Sequence, residues 1–218
     1  MNFGLHALLL IAGLFAVTAH AEVKQATADG FLVTFTEPLS ASTTKAYTDI
    51  TQVQRWWSSE HTWSGKASNL SLKPEAGGCF CERWSGGSAE HGRVIMALPG
   101  KLLRLDAALG PLQEFALKGI LSFWLKNEDG ATTVTVEYRV NGAAGSGLDA
   151  LAPTVDEVLG AQVARLKRYV GTGNPEAPAA EENKGASKAA DVSKSGDAAK
   201  GKADDPKKKP KPAAPVKP

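Results

Sequence analysis

The chain has 218 residues, 43% of them hydrophobic, and 25 basic residues against 23 acidic ones give a formal net charge of +2. Residues 22–170 carry a net −1 and residues 171–218 a net +3, so the excess belongs to the C-terminal segment. With no basic run interleaved with aromatics, nucleic-acid binding by the folded part is disfavoured, and the part outside the two ends is long enough for one substantial core.

The first residues predict a secretory signal. An apolar run from Leu8 to Val17 precedes Ala19-His20-Ala21, the small-x-small pattern that a signal peptidase cuts after Ala21. The run is too short to span a bilayer, although no Lys or Arg precedes it. No later segment is long and apolar enough to span a membrane, so the mature chain is expected to be soluble, and periplasmic or secreted.

Strand signals follow. Phe31–Phe35 is a β-rich run closed by Pro38; Ser42–Ile50 is helical in pattern, and a second short helix runs through Val53–Trp57. The stretch RWWSSEHTWSG at 55–65 gathers Trp56, Trp57 and Trp63 beside Glu60 and His61. Such a cluster either closes a cavity mouth or packs beneath the sheet. Short runs then alternate with turn residues: Leu70–Leu72, Cys79–Trp84, Gly92–Leu98, Leu102–Ala107, Ile120–Leu125 and Thr132–Val140. Their spacing and hairpin-type turns argue for one antiparallel sheet. In the last run Val134, Val136, Tyr138 and Val140 share one face and Thr133, Thr135, Glu137 and Arg139 the other, so one face is covered and one is wet. The connection Leu109–Phe115 is rich in apolar residues and suits either a flap over a cavity end or a tight turn.

The glycine-rich 142–147 segment lacks the lysine and spacing of a phosphate loop and reads as a hinge. Beyond it Val155, Val158, Leu159, Val163, Leu166 and Val170 form one helical stripe, with Pro153 expected in the first turn. Asp156 and Glu157 lie toward the positive end of the dipole and Arg165, Lys167 and Arg168 toward the negative end. A one-faced helix and a one-faced sheet are most economically laid together. From Gly171 the chain has only two branched aliphatics, Val192 and Val216, and no aromatic, which predicts a disordered tail at 171–218. Its basic, proline-rich end reads as a solvated spacer or, less favoured, as a weak contact with an anionic surface.

This order resembles the helix-grip fold of the SRPBCC superfamily, which includes START-like lipid-transfer domains, polyketide cyclases and the heat-shock ATPase-activator-like domain. The resemblance is carried by Phe31–Ile50, Arg55-Trp56-Trp57, the Gly77–Glu82 strand, Gly92-Arg93-Val94 leading to Pro99–Leu105, Leu109–Gln113 and the closing helix, over about residues 27–170. It implies an α+β fold: a curved antiparallel sheet of about seven strands around a long C-terminal helix, with two short helices after the first strand. It also implies a deep, mostly apolar cavity between sheet and helix. It specifies function poorly, because many chemistries share the scaffold.

GGCFCERW at 77–84 holds both cysteines. Cys79, Cys81 and Arg83 point one way along a strand and Phe80, Glu82 and Trp84 the other. Three readings of the cysteines stay open. They are two small hydrophobes packing one face, which is preferred; a disulfide, strained because i and i+2 of an extended strand lie near the upper Cα limit for a bridge; or a metal site recruiting His61 and His91. Glu82 either sits among cavity aromatics, orienting a ligand or exchanging a proton, or is solvated.

The preferred reading is a binding protein for a small apolar or amphipathic molecule, such as a lipid, a quinone-like aromatic or a polyketide. The candidate ligand-binding residues are Trp56, Trp57, Trp63, Phe80, Glu82, Trp84, Met96, Arg104, Leu112, Phe115 and Tyr138, with Glu82, Tyr138 and Arg104 as orienting groups. No cofactor and no metal are expected. A cyclase- or hydrolase-like enzyme using Glu82 or His91 is the alternative, followed by a Cys79/Cys81 redox or metal protein. An adaptor function is disfavoured, because a signal peptide removes the chain from a cytosolic chaperone.

Overall fold

The computed structural model, which describes residues 22–128 and 130–178, has eight strands, all paired antiparallel in one sheet. In chain order the strands are β1 (Glu22–Thr27), β2 (Gly30–Leu39), β3 (Leu70–Leu72), β4 (Cys79–Trp84), β5 (Gly87–Leu98), β6 (Leu102–Ala107), β7 (Lys118–Glu128) and β8 (Ala131–Asn141). Their spatial order is β1-β2-β8-β7-β6-β5-β4-β3. The helices are α1 (Thr43–Thr51), α2 (Val53–Trp56) and α3 (Leu148–Thr172). The expected α+β helix-grip architecture is therefore present, with one strand more than the sequence suggested. The addition is β1, whose EVKQAT carries no strong apolar alternation and is recruited by backbone pairing with β2.

One face of the sheet is dry. Phe31, Val33 and Phe35 of β2, Leu103 and Leu105 of β6, Leu121, Phe123 and Leu125 of β7 and the four alternate residues of β8 are all buried. They meet Leu148, Ala152, Leu159, Val163, Leu166 and Val170 of α3. Each large aliphatic in that contact contributes about 1.5–3 kcal/mol relative to exposure, which offsets the entropy of ordering both layers.

The long helix starts earlier than expected. Gly147 adopts φ 68° just before it and Gly173 adopts φ 76° just after it, the left-handed backbone that only glycine takes cheaply. Pro153 is thus an interior residue of α3, not a first-turn residue. It is exposed there, and it removes the hydrogen bond that the Asp149 carbonyl would otherwise receive. The helix also runs past residue 170, and the chain beyond it turns back. Arg168 Nε donates to the Pro175 carbonyl at 2.7 Å, and Arg165 pairs with Glu176. The predicted signal at 1–21 and the rest of the tail, from residue 179, lie outside the described residues.

Two side chains pin the short helices to α3. Gln162 accepts from Ser58 N at 2.8 Å, and Arg165 donates from Nε to the Trp56 carbonyl at 2.8 Å. Ser42 caps α1, accepting from Lys45 N. That arrangement fixes the 57–63 segment over the opening between α3 and the β4–β5 end of the sheet.

Candidate functional site

A cavity of about 410 Å³ lies there, within the range of small-molecule sites. Three pieces of chain wall it: Trp57 to Trp63 on one side, Leu109 to Leu112 with Phe115 on another, and Leu151, Thr154, Val155, Val158 and Leu159 of α3 on the third. His91 of β5 completes the lining. Trp63 is 49% exposed and Phe115 37%, so these two stand at the opening. Glu60 and His61, on a short 3-10 helix Ser59–His61, are exposed at the rim.

His91 enters this cavity through an irregularity in the ladder. Phe80 pairs with Gly92 and Cys81 with Glu90, so His91 is the extra residue of a β-bulge in β5. His91 and Gly92 are then buried in succession, which a regular strand would not allow. Gly92 lies against β6, where an added Cβ would meet the Ala107 Cβ at 2.7 Å. His91 packs on Phe80 with ring centroids 5.0 Å apart, and Phe80 meets Trp57 edge-on at 5.7 Å.

Behind the histidine stands Glu82, 0% exposed. Its Oε2 lies 3.0 Å from His91 Nε2 and accepts from Trp63 N at 3.0 Å, while Oε1 accepts from Ser64 N at 2.6 Å. Burial alone would raise this carboxyl, but the hydrogen bonds from Ser64, Trp63 and His91 outweigh it and hold Glu82 below the usual range, ionised. The carboxylate therefore does two jobs: it fixes the imidazole, and it ties down the loop that carries Trp63.

The flap Leu109–Phe115 contains a 3-10 helix, Gly110–Glu114. Its start is held by Tyr138, whose hydroxyl donates to the Ala107 carbonyl at 3.0 Å and accepts from Leu109 N at 3.3 Å. Burial pushes the Tyr138 phenol well up, so it stays a neutral donor. Gln113 Nε2 ties the same flap to the Glu90 carbonyl at 2.9 Å.

The eleven candidates from the sequence separate into groups. Trp57, Trp63, Leu112 and Phe115 line the cavity. Phe80 and Glu82 form the layer behind His91, and Trp56 is 1% exposed in the core, bonded through Nε1 to the carbonyls of Asp49 and Ile50. Tyr138 is a core residue that positions the flap and does not line the space, which corrects the orienting role expected for it. Trp84, Met96 and Arg104 do not line the cavity either. Trp84 lies over Gly87 of its own hairpin, where an added Cβ would come within 2.8 Å of the ring. Met96 pairs with Arg104 in the ladder, and Arg104 stacks 5.0 Å above Trp124 and donates to Ser122 Oγ at 3.0 Å, on the face opposite the core. The α3 residues were absent from the candidates, and His91 was named only for the enzymatic alternative and a metal site, not among the ligand-binding residues. Extending the helix stripe back one turn from Val155 and Val158 to Leu151 would have found the first group; no sequence signal marks the bulge that turns His91 inward.

The preferred reading of the cysteines is also corrected. Cys79 and Cys81 are joined by a disulfide, with Cα atoms 5.4 Å apart. The objection to a bridge assumed a fully extended strand; opposite the bulge the strand is drawn in, and 5.4 Å is an ordinary disulfide spacing. Cys79, Cys81 and Glu90 place ligand atoms within 4.8 Å of one another, but the bridge engages both sulfurs, and neither histidine belongs to the group.

No family model matches the chain, and no curated protein matches it. Solved structures do resemble it. The Aha1 dimer from Colwellia psychrerythraea is 18% identical over 65% of this chain and 97% of that one, with a TM-score of 0.49. CalU16 from Micromonospora echinospora is 13% identical over 73% and 86%, with a TM-score of 0.48. Protein MLL2253 from Mesorhizobium loti is 18% identical over 63% and 94%, with a TM-score of 0.46. At these identities and TM-scores the likeness carries nothing about family or function, and the helix-grip architecture rests on the chain's own strand order and long closing helix.

Proposed function

We propose that the chain is a binding protein that holds one small apolar or amphipathic molecule in the cavity between α3, the Leu109–Phe115 flap and β5. The observation that carries this is the lining itself: a 410 Å³ space walled mainly by aromatic and aliphatic side chains, with Thr62 and Thr154 among them and one buried titratable group, His91. Burial of apolar ligand surface supplies the affinity, and the few polar groups orient the guest. Native mass spectrometry of the protein from its own host, beside a denatured run, tests it. The expected result is a co-purified organic mass that disappears on denaturation and is reduced in Val155→Trp, which narrows the space. An empty protein that binds apolar probes no better than Val155→Trp does would end the reading.

The proposal includes a periplasmic or secreted location. It is supported by the Leu8–Val17 run with Ala19-His20-Ala21, and by the Cys79–Cys81 bridge, which suits an oxidising compartment. Terminal sequencing should find Glu22 first; a cytosolic protein retaining Met1 would refute it. No helix among the described residues is long and apolar enough to cross a membrane.

One observation favours a second reading, proton-transfer catalysis. His91 in the cavity is backed by an ionised carboxylate 3.0 Å away, an arrangement suited to general acid–base chemistry. Absence of turnover on ester, lactone and cyclic-ketone substrates, at any pH, would remove it.

A further inference from the structure

Half of His91 is already committed. Its Nε2 lies against Glu82 Oε2, and Glu82 is ionised and can only accept, so Nε2 carries the hydrogen. The ring lines the cavity, and no described residue bonds its other nitrogen. In the neutral ring Nδ1 then offers a lone pair in an apolar space. We infer that the occupant is a neutral apolar molecule whose polar end is a single hydroxyl donor, a phenol, enol or alcohol, bonded to His91 Nδ1. This rests on the cavity being a ligand site and names the chemistry of the ligand's polar end.

Charge selects a hydroxyl over an ion. Glu82 already supplies the anionic partner of His91, so a ligand carboxylate would bring a second negative charge into an apolar enclosure. No Lys or Arg lines it, and the remaining ionisable lining groups, Glu60 and His61, are exposed at the rim. A buried charge without a partner costs more than one hydrogen bond returns. An ammonium would exchange full hydration for one acceptor, with the same result. A neutral hydroxyl needs one acceptor and finds one.

Placement supports the same conclusion. His91 is the extra residue of the bulge, so the ladder is broken at the point where the ring turns inward. The ring cannot rotate freely: Phe80 packs on it, and Glu82 holds Nε2. Glu82 is held in turn by two backbone N–H groups. An acceptor fixed through two layers of contacts is what selective recognition of one donor requires.

Three probes of one shape test the inference: 2-naphthol, 2-methoxynaphthalene and 2-naphthoate, titrated calorimetrically into the chain from Glu22 onward. The expected result is naphthol binding roughly tenfold tighter than the ether, with naphthoate weakest. In His91→Leu the ether should bind as before and the naphthol preference should vanish. The nitrogen is identified by its ¹⁵N resonance: naphthol should shift His91 Nδ1 and the ether should not. That measurement needs no variant and stands even if His91→Leu misfolds. Equal affinity for naphthol and ether, a preference surviving in His91→Leu, or tightest binding of naphthoate would each overturn the inference. Binding of none of the three would overturn the cavity reading, and this inference with it.

Discussion

Glu82 and His91 meet at 3.0 Å across the β4–β5 bulge, and the same carboxylate anchors the backbone of Trp63 and Ser64. One buried side chain thus couples the polar point of the cavity to the loop at its mouth. Glu82→Gln keeps the shape but turns an NH₂ toward groups that donate. It should cost about 1–3 kcal/mol of stability and raise hydrogen exchange at Trp63 and Ser64. The pH dependence has a definite sign. The folded pKa is lowered below its unfolded value, so the stability from Glu82 is present above the unfolded pKa and is lost as pH falls through the folded one. Acid unfolding curves of the two proteins should therefore converge at low pH; parallel curves would show that Glu82 is not the anchor.

Tyr138 reaches the flap because residue 119 is glycine. An added Cβ there would lie 2.0 Å from the Ala107 carbonyl oxygen and 2.9 Å from the Tyr138 hydroxyl. Tyr138→Phe removes both hydrogen bonds of the phenol and should cost about 1–2 kcal/mol, with faster exchange at Leu109 N. Gly119→Ala should cost more, because backbone must move. A Gly119→Ala protein as stable as Tyr138→Phe would mean that the strands are not so closely apposed.

How much of this was legible in the sequence follows from the reach of each signal. The β8 alternation and the α3 stripe are local periodicities, and both faces were read correctly because burial acts on every second or every third to fourth residue. Glu82 and the 109–115 flap stood out by composition. The bulge at His91 could not be read, since a one-residue slip in pairing depends on the partner strand. The same slip hid the disulfide, because the Cys79–Cys81 distance follows from strand curvature. Trp84 and Met96 fell on the wrong surface for a different reason: an aromatic or a methionine on a strand looks alike whether it faces a cavity or covers a hairpin.

The disulfide closes a very short loop, so its constraint on the unfolded chain is small. Replacing both Cys79 and Cys81 by Ser should cost about 1–2 kcal/mol and leave probe binding nearly unchanged. Intact-mass analysis of the untreated protein should show the loss of two protons. Two freely alkylated thiols in protein from an oxidising compartment would restore the packing reading.

The tryptophans of the 55–65 stretch should separate cleanly by substitution. Trp56, 1% exposed and bonded to two carbonyls, is a core residue, and Trp56→Ala should cost about 3–5 kcal/mol. Trp63, at the opening and 49% exposed, should cost less than about 1 kcal/mol on truncation yet weaken probe binding. Equal losses of stability at both sites would place Trp63 in the core.

Asp156 of α3 should titrate with the opposite sign to Glu82. Its Oδ1 is buried with no hydrogen-bond partner among the described residues, and burial raises its pKa. A folded pKa above the unfolded one means a penalty that is present above the folded pKa and disappears as pH falls through the unfolded one. Asp156→Asn removes the charge and should stabilise the protein slightly at neutral pH, with the gain vanishing in acid. Asp156→Leu separates two contributions: if the desolvated charge is what costs stability, Leu should match or exceed Asn. A loss of stability in both variants at neutral pH would show instead that the carboxylate is engaged, and that its buried oxygen is partnered in solution.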